Sequence, residues 1–210
     1  MTSGRNLSNV LLIFIRNPLL GKVKTRLART VGDEEALRIY HILIEKTRRA
    51  ALGVQVERWL FYSDFIDTND DWPEMDFQKK IQSTGDLGER MEQAFRVAFG
   101  AGAKKVVIIG SDCPELTGEM LQAAFDKLDG ADFVLGPVPD GGYYLLGMKE
   151  LEPAVFQGIE WSTATVRART LEKIAAAGKS CALLPLLSDV DTAEDWFAAR
   201  NADSLSANAP

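Results

Sequence analysis

Apolar and polar positions fall in blocks along this chain, and their period switches between strand-like and helical from one end to the other. Residues 10–15 are a continuous apolar run broken by Arg16, the pattern of a strand buried on both faces. A helix is predicted over 33–52, opened by Asp33 and stopped by Gly53. Residues 54–62 read as a strand and the polar stretch 63–76 as surface loop. Helical spacing returns over 86–99, ahead of Gly100 and Gly102. Residues 105–110 (KVVIIG) give the clearest central strand. Thr117 opens a helix that Gly130 ends. Residues 133–136 form the next strand and 143–147 a short one. Ser162 or Thr163 caps a helix reaching Ala177, residues 182–187 make a late strand, and Thr192 with Asp195 resembles a capping box opening a last helix. The small, polar residues 201–210 are expected to fray as a flexible tail.

Strands alternating with helices predict a single α/β domain over residues 1–200, with a mostly parallel sheet covered by helices on both faces. Such sheets bind ligands beyond the carboxyl ends of their strands, at the point where strand order reverses. Candidate chemistry is therefore sought directly after strands.

Charge narrows the ligand. A net charge of −6 argues against non-specific nucleic-acid binding. Yet the first 32 residues hold six basic side chains, among them Arg5 and Arg16, and no acid, leaving about −12 on the remainder. A local positive spot on an acidic body suits a small anion better than a long polyanion. Cys113 and Cys181 stand in no metal-ligand spacing and read as buried thiols. The run at 10–15 is too short to span a bilayer and lacks a cleavage site, so no membrane span and a cytoplasmic location are expected. The sole histidine, His41, lies mid-helix, which leaves chemistry to carboxylates, cations and a metal.

Five segments carry that chemistry. After the first strand comes Asn17-Pro18-Leu19-Leu20-Gly21-Lys22-Val23-Lys24-Thr25-Arg26-Leu27. Gly21 permits a tight turn, and Lys22, Lys24 and Arg26, alternating in an extended loop, would converge as a pyrophosphate cradle. Val23 stands where a Walker A motif requires Ser or Thr. Closing the central strand is Gly110-Ser111-Asp112-Cys113-Pro114, where Asp112 is placed to hold a hard cation against phosphate. Asp140-Gly141-Gly142-Tyr143-Tyr144 follows another strand and reads as a substrate loop. Around Gln82, Gly85, Asp86 and Gly88, two glycines flank an acid at a helix start, where exposed N–H groups favour anionic ligand atoms. Ser188-Asp189-Val190-Asp191 offers acids, Asp191 foremost, to complete a metal site with Asp112. Trp161, Ser162 and Thr163 are chemically silent alone and are grouped with the substrate loop.

Taken in order, GKVKTRL, QSTGDLGERM, IGSDCPEL, LGPVPDGGYYLLG, IEWST and DVDTAEDW resemble the bacterial radical-SAM/selenodomain-associated transferases, within the GT-A nucleotide-diphospho-sugar transferase superfamily. The resemblance runs from about residue 10 to 196. It implies a three-layer α/β/α Rossmann-like GT-A fold with a mixed sheet, in which the basic loop holds nucleotide phosphates. It also implies that Asp112 takes the place of the superfamily's metal-binding aspartate, with the usual Asp-x-Asp reduced to Ser111-Asp112-Cys113. The expected function is glycosyl transfer from a nucleotide sugar to a small-molecule acceptor, aided by Mg²⁺ or Mn²⁺. Pro18, Gly21, Lys22, Lys24 and Arg26 would bind the nucleotide, and Lys24 and Asp140 would be catalytic. Nucleotidyl transfer of the guanylyltransferase kind to a phosphorylated small molecule is the alternative, and a non-catalytic nucleotide-binding module a second.

Overall fold

The computed structural model describes the backbone of residues 8–207 and the side chains of 8–201, so Arg5 and residues 208–210 lie outside the described residues. Seven strands form one sheet: β1 (Asn9–Ile15), β2 (Glu57–Tyr62), β3 (Gln78–Ile81), β4 (Lys105–Ile109), β5 (Phe133–Pro137), β6 (Tyr143–Met148) and β7 (Cys181–Leu183). Their order is β3-β2-β1-β4-β6-β5-β7, and only β6 runs antiparallel to its neighbours. The helices are α1 (Thr25–Val31), α2 (Asp33–Leu52), α3 (Leu87–Gly100), α4 (Gly118–Gly130), α5 (Val166–Ala176) and α6 (Ala193–Ala207).

The apolar run of β1 is buried because both sheet faces are covered. Leu11, Ile13 and Ile15 pack with Ala50 and Ala51 of α2 and Leu121 and Phe125 of α4. Val10 and Leu12 face the other way, onto Met91, Phe95 and Ala98 of α3 and Ile174 of α5. A third cluster joins Leu27 of α1, Ile39 and Leu43 of α2, and Trp196 of α6. Alternation along one strand therefore feeds two cores, as the period of two requires.

Several boundaries differ from the sequence reading for identifiable reasons. β3 lies beyond the predicted loop at 63–76 and was given no element, because Gln78-Lys79-Lys80-Ile81 is a polar edge strand with no fully buried position. The segment 22–26 is not uniformly extended. Lys24 adopts a left-handed conformation (φ 48°) and α1 begins at Thr25, so Arg26 projects from a helix and not from the loop. β7 stops at Leu183 and not at 187, since Pro185 lacks a ladder donor. Cys181, on that edge strand, is only half-buried, whereas Cys113 is buried. α5 starts at Val166, because Ser162 is itself left-handed (φ 64°) and cannot open a helix. α6 continues through Ala207, so the backbone of 201–207 is helical.

Candidate functional site

Chain order runs from β1 outward to β2 and β3, then returns to β4 on the other side of β1. The strand order reverses between β1 and β4, and the loops leaving these two strands diverge there. Tyr40 of α2 ties them together. Its hydroxyl accepts from the Arg16 N–H at 2.9 Å and donates to the Arg16 carbonyl at 3.1 Å, and Ser111 Oγ lies 3.2 Å away. Burial pushes this phenol up to about 12, so it stays a neutral staple.

Asn17, almost fully buried, fixes the exit from β1. Its Nδ2 donates to the Phe65 carbonyl at 2.8 Å, while Oδ1 accepts from the Asp64 N–H at 3.0 Å. The chain then turns through Gly21 (φ 70°), with the Lys22 N–H donating to the Leu19 carbonyl. Lys24 follows in its left-handed position, and its ammonium turns inward. Nζ lies 2.6 Å from Asp112 Oδ1, 2.6 Å from the Val190 carbonyl and 3.5 Å from Asp191 Oδ1. Arg26 pairs with the other oxygen of Asp191. The Val190 N–H donates to the Asp112 carbonyl at 2.8 Å, which docks the loop after β7 against the loop after β4.

These groups border one cavity of about 460 Å³ at the carboxyl edge of the sheet. That volume lies within the range of small-molecule sites. Of the residues singled out in the sequence, Lys22, Lys24, Arg26, Gln82, Asp112, Tyr143, Ser162 and Asp191 line it. Part of the lining is apolar, with Phe14, Leu87, Met91, Ile108 and Leu146.

Other singled-out residues lie elsewhere. Asp86 and Glu89 form a reciprocal capping box: Asp86 Oδ1 accepts from the Glu89 N–H, and Glu89 Oε2 from the Asp86 N–H. Two N–H groups at the start of α3, those of Asp86 and Glu89, are thus satisfied internally. Gly88 abuts the Trp161 indole so closely that a Cβ there would overlap it, so this glycine serves packing. Gly85 (φ 109°) turns the chain into the cap. Pro18 and Gly21 shape the β1 loop without lining the cavity. Asp140 is exposed, and its Oδ1 accepts from the Gly142 N–H at 2.9 Å. Gly141 (φ 91°) presses on the Ala164 backbone, and its carbonyl accepts from the Arg167 N–H at 2.8 Å. Loop 138–142 is thereby clamped to the segment carrying Trp161, Ser162 and Thr163, whose Thr163 hydroxyl donates to the Glu160 carbonyl.

The sequence grouped Asp189 with Asp191 as a candidate acid, but it gave no sign of the environment of that carboxyl, nor of Arg16 and Arg90 as cavity residues. Asp189 has its carboxyl pushed up to about 6, by burial first and then by the charges of Asp191, Asp140 and Asp112. Arg16 and Arg90 also line the cavity. Burial and the neighbouring Arg16 charge hold the Arg90 guanidinium below its ordinary value. Among the described residues, no group of three His, Cys, Asp or Glu side chains is arranged to hold a metal ion.

An α/β sheet with this strand order and a charged cleft at its switch point defines a protein of the nucleotidyltransferase and GT-A-like fold class. The chain belongs to the family described as "Uncharacterized protein conserved in bacteria (DUF2064)", whose model matches residues 46–163. It is similar, at 33% identity and TM-score 0.87, to a "putative nucleotide-diphospho-sugar transferase" from Desulfovibrio desulfuricans G20, over 93% of this chain and 87% of that one. Fold alone is shared with 4-diphosphocytidyl-2C-methyl-D-erythritol synthase from Anaerococcus prevotii (12% identity, TM-score 0.59, 95% and 97% covered). The same holds for CMP:2-keto-3-deoxy-manno-octonic acid synthetase complexed with CTP (13%, 0.52, 95% and 99%). No curated protein matches the chain. Among the described residues no helix is long and apolar enough to cross a membrane.

Proposed function

We propose that this chain is a transferase that takes a nucleoside-diphosphate sugar and passes the sugar to a small-molecule acceptor. The observation carrying this reading is the meeting of Lys22, Lys24 and Arg26, from the β1 exit, with Asp112, from the β4 exit, in one cleft at the switch point. The 33% identical relative named a nucleotide-diphospho-sugar transferase supports it.

Breaking the bond between the sugar carbon and the diphosphate oxygen leaves negative charge on the departing group, and preorganised cations at that position lower the barrier. Lys22 lines the cleft and is exposed, so it can meet phosphate oxygens directly. Lys24 and Arg26 are held by carboxylates and would act on a phosphate that competes for them. The acceptor hydroxyl must lose a proton as it attacks. Asp140, at the substrate loop, and Asp189, whose carboxyl is pushed up to about 6 by burial first and then by Asp191, Asp140 and Asp112, are the candidate bases, both standing beside the cavity and not in its lining.

The donor set is chemically suited to a divalent metal. Asp112 and Asp191 present hard oxygen atoms to one cationic point, now filled by the Lys24 ammonium. Two carboxylates fall short of a full shell, so phosphate oxygens of the ligand would supply the rest. Bound there, Mg²⁺ or Mn²⁺ would supply charge neutralisation of the diphosphate.

The test is a product assay with nucleotide sugars and with nucleoside triphosphates, each with and without Mg²⁺ or Mn²⁺. Release of nucleoside diphosphate from a nucleotide sugar is the expected result. Pyrophosphate release from a triphosphate would replace this reading with nucleotidyl transfer. Asp112→Asn should fold normally and lose metal-dependent binding and turnover, because Asn keeps the shape but not the charge. Unaltered metal dependence in that variant would remove Asp112 from the site.

A further inference from the structure

Lys24 and Arg26 are already matched to acids, but two further cations that line the same cavity have no ion-pair partner among the described residues. Arg16 leaves the end of β1, and Arg90 stands on the first turn of α3. Neither forms an ion pair with a described carboxylate. Arg90 reaches only neutral oxygens: its Nη1 donates to Gln82 Oε1 at 2.7 Å and its Nε to the Asp86 carbonyl at 3.3 Å.

Gln82 determines where Arg90 points. The amide is buried, and both Nε2 hydrogens are used, on the Ile15 carbonyl at 3.0 Å and the Phe61 carbonyl at 3.1 Å. Its Oε1 is therefore committed as an acceptor, and it holds the guanidinium at the ends of β1 and β2. A chain hydrogen-bonded to the sheet thus aims an arginine at the cavity beside Arg16. Partial burial and the charge of the exposed Arg16 both act against the Arg90 guanidinium, and the Asp86 carboxylate offsets them only in part, so a bound anion would be favourable here. A neutral carbonyl would not offset that repulsion, whereas a carboxylate or phosphate bridging two guanidiniums would.

We propose that Arg16 and Arg90, with Gln82 as the positioning residue, form a second anion subsite for a carboxylate or phosphate carried by the transferred sugar or by the acceptor. This rests on the reading of the cleft as a nucleotide-sugar site, because it assigns the diphosphate to the Lys22–Arg26 end. The substrate is then an acidic sugar or a phosphorylated acceptor.

Binding to the full-length protein is measured calorimetrically with glucose, glucuronate and glucose 6-phosphate, and separately with nucleoside diphosphates. The expected result is that one or both anionic probes bind at least tenfold more tightly than glucose. Preference for glucuronate assigns a carboxylate, and preference for glucose 6-phosphate a phosphate. That preference is lost in Arg16→Met and Arg90→Met, survives in Lys22→Met, and falls in Gln82→Met in proportion to the freed Arg90. Each variant is checked for an unchanged melting profile, and Arg90→Lys, which keeps charge but not the fork, should recover part of the effect. Equal binding of all three probes by wild type, or unchanged preference in both arginine variants, overturns the proposal. So does equal loss of nucleoside diphosphate in Arg90→Met, which would make the pair the diphosphate site itself. If nucleoside diphosphates fail to bind wild type while the anionic preference stands, the functional reading fails and the subsite survives.

Discussion

Replacing Lys24 by alanine removes the one ammonium on which Asp112, Asp191 and the Val190 carbonyl converge. Breaking a fully buried ion pair costs about 3–5 kcal/mol, mostly from the stranded charge. Here the lysine side chain is only 6% exposed but Asp112 is 48% and Asp191 27% exposed, so water can reach the acids. Screening reduces the expected cost to about 1–2 kcal/mol. In a domain of this size that lowers Tm by roughly 2–8 °C. The backbone offers an internal control. Lys24 is left-handed, and alanine inherits that strain, whereas glycine relieves it by about 1 kcal/mol. Lys24→Gly should therefore melt between Lys24→Ala and wild type. Mg²⁺ should raise the Tm of Lys24→Ala more than that of wild type, since the two acids then lack their cation; saturation to 100 times the dissociation constant is equivalent to about 2.7 kcal/mol. Differential scanning calorimetry reads all three. If Lys24→Ala melts within 1 °C of wild type, the ammonium is not offsetting the acids and the electrostatic account of the cleft is wrong.

Asp189 gives a pH signature. Its folded carboxyl titrates at about 6, above the ordinary range, so its contribution to stability is complete below about pH 4 and is lost as pH rises through 6. Asp189→Asn should match wild type at pH 4 and exceed it at pH 7 by about 1 kcal/mol, a figure discounted for the group's partial exposure; parallel denaturant profiles across that range would refute this. Gly88→Ala should cost about 1–3 kcal/mol by overpacking and displace Trp161. Unchanged stability together with unchanged tryptophan emission would show that the indole has room to spare.

The sheet's interior was readable because β1, β4 and β5 are buried on both faces and so must be almost continuously apolar, as at 10–15 and 106–109. Charged residues after strands marked the cleft for the same reason: a core strand has no use for Lys24 or Asp112 except at its exit. What escaped lacked such contrast. β3 is polar because only one edge of it pairs. Asp86 next to two glycines resembles an anion site until its partner Glu89 is seen to close the cap. Arg16 reads merely as the end of an apolar run, and Arg90 as one more helix charge. Their juxtaposition depends on Gln82 bridging β1 and β2, a contact between residues 67 apart that spacing cannot reveal.

Because β6 runs against its neighbours, the link between β5 and β6 is a short hairpin that returns at the ligand edge of the sheet, while most of the parallel crossovers, all but that from β2 to β3, carry helices across its faces. A change of length at 138–142 would leave every crossover helix where it is, which makes this hairpin the position where a lineage can change acceptor without rebuilding the fold. Gly141 lies so close to Ala164, however, that the hairpin cannot drift alone. Variation there should be inherited together with variation at 161–167, the two segments evolving as one exchangeable piece.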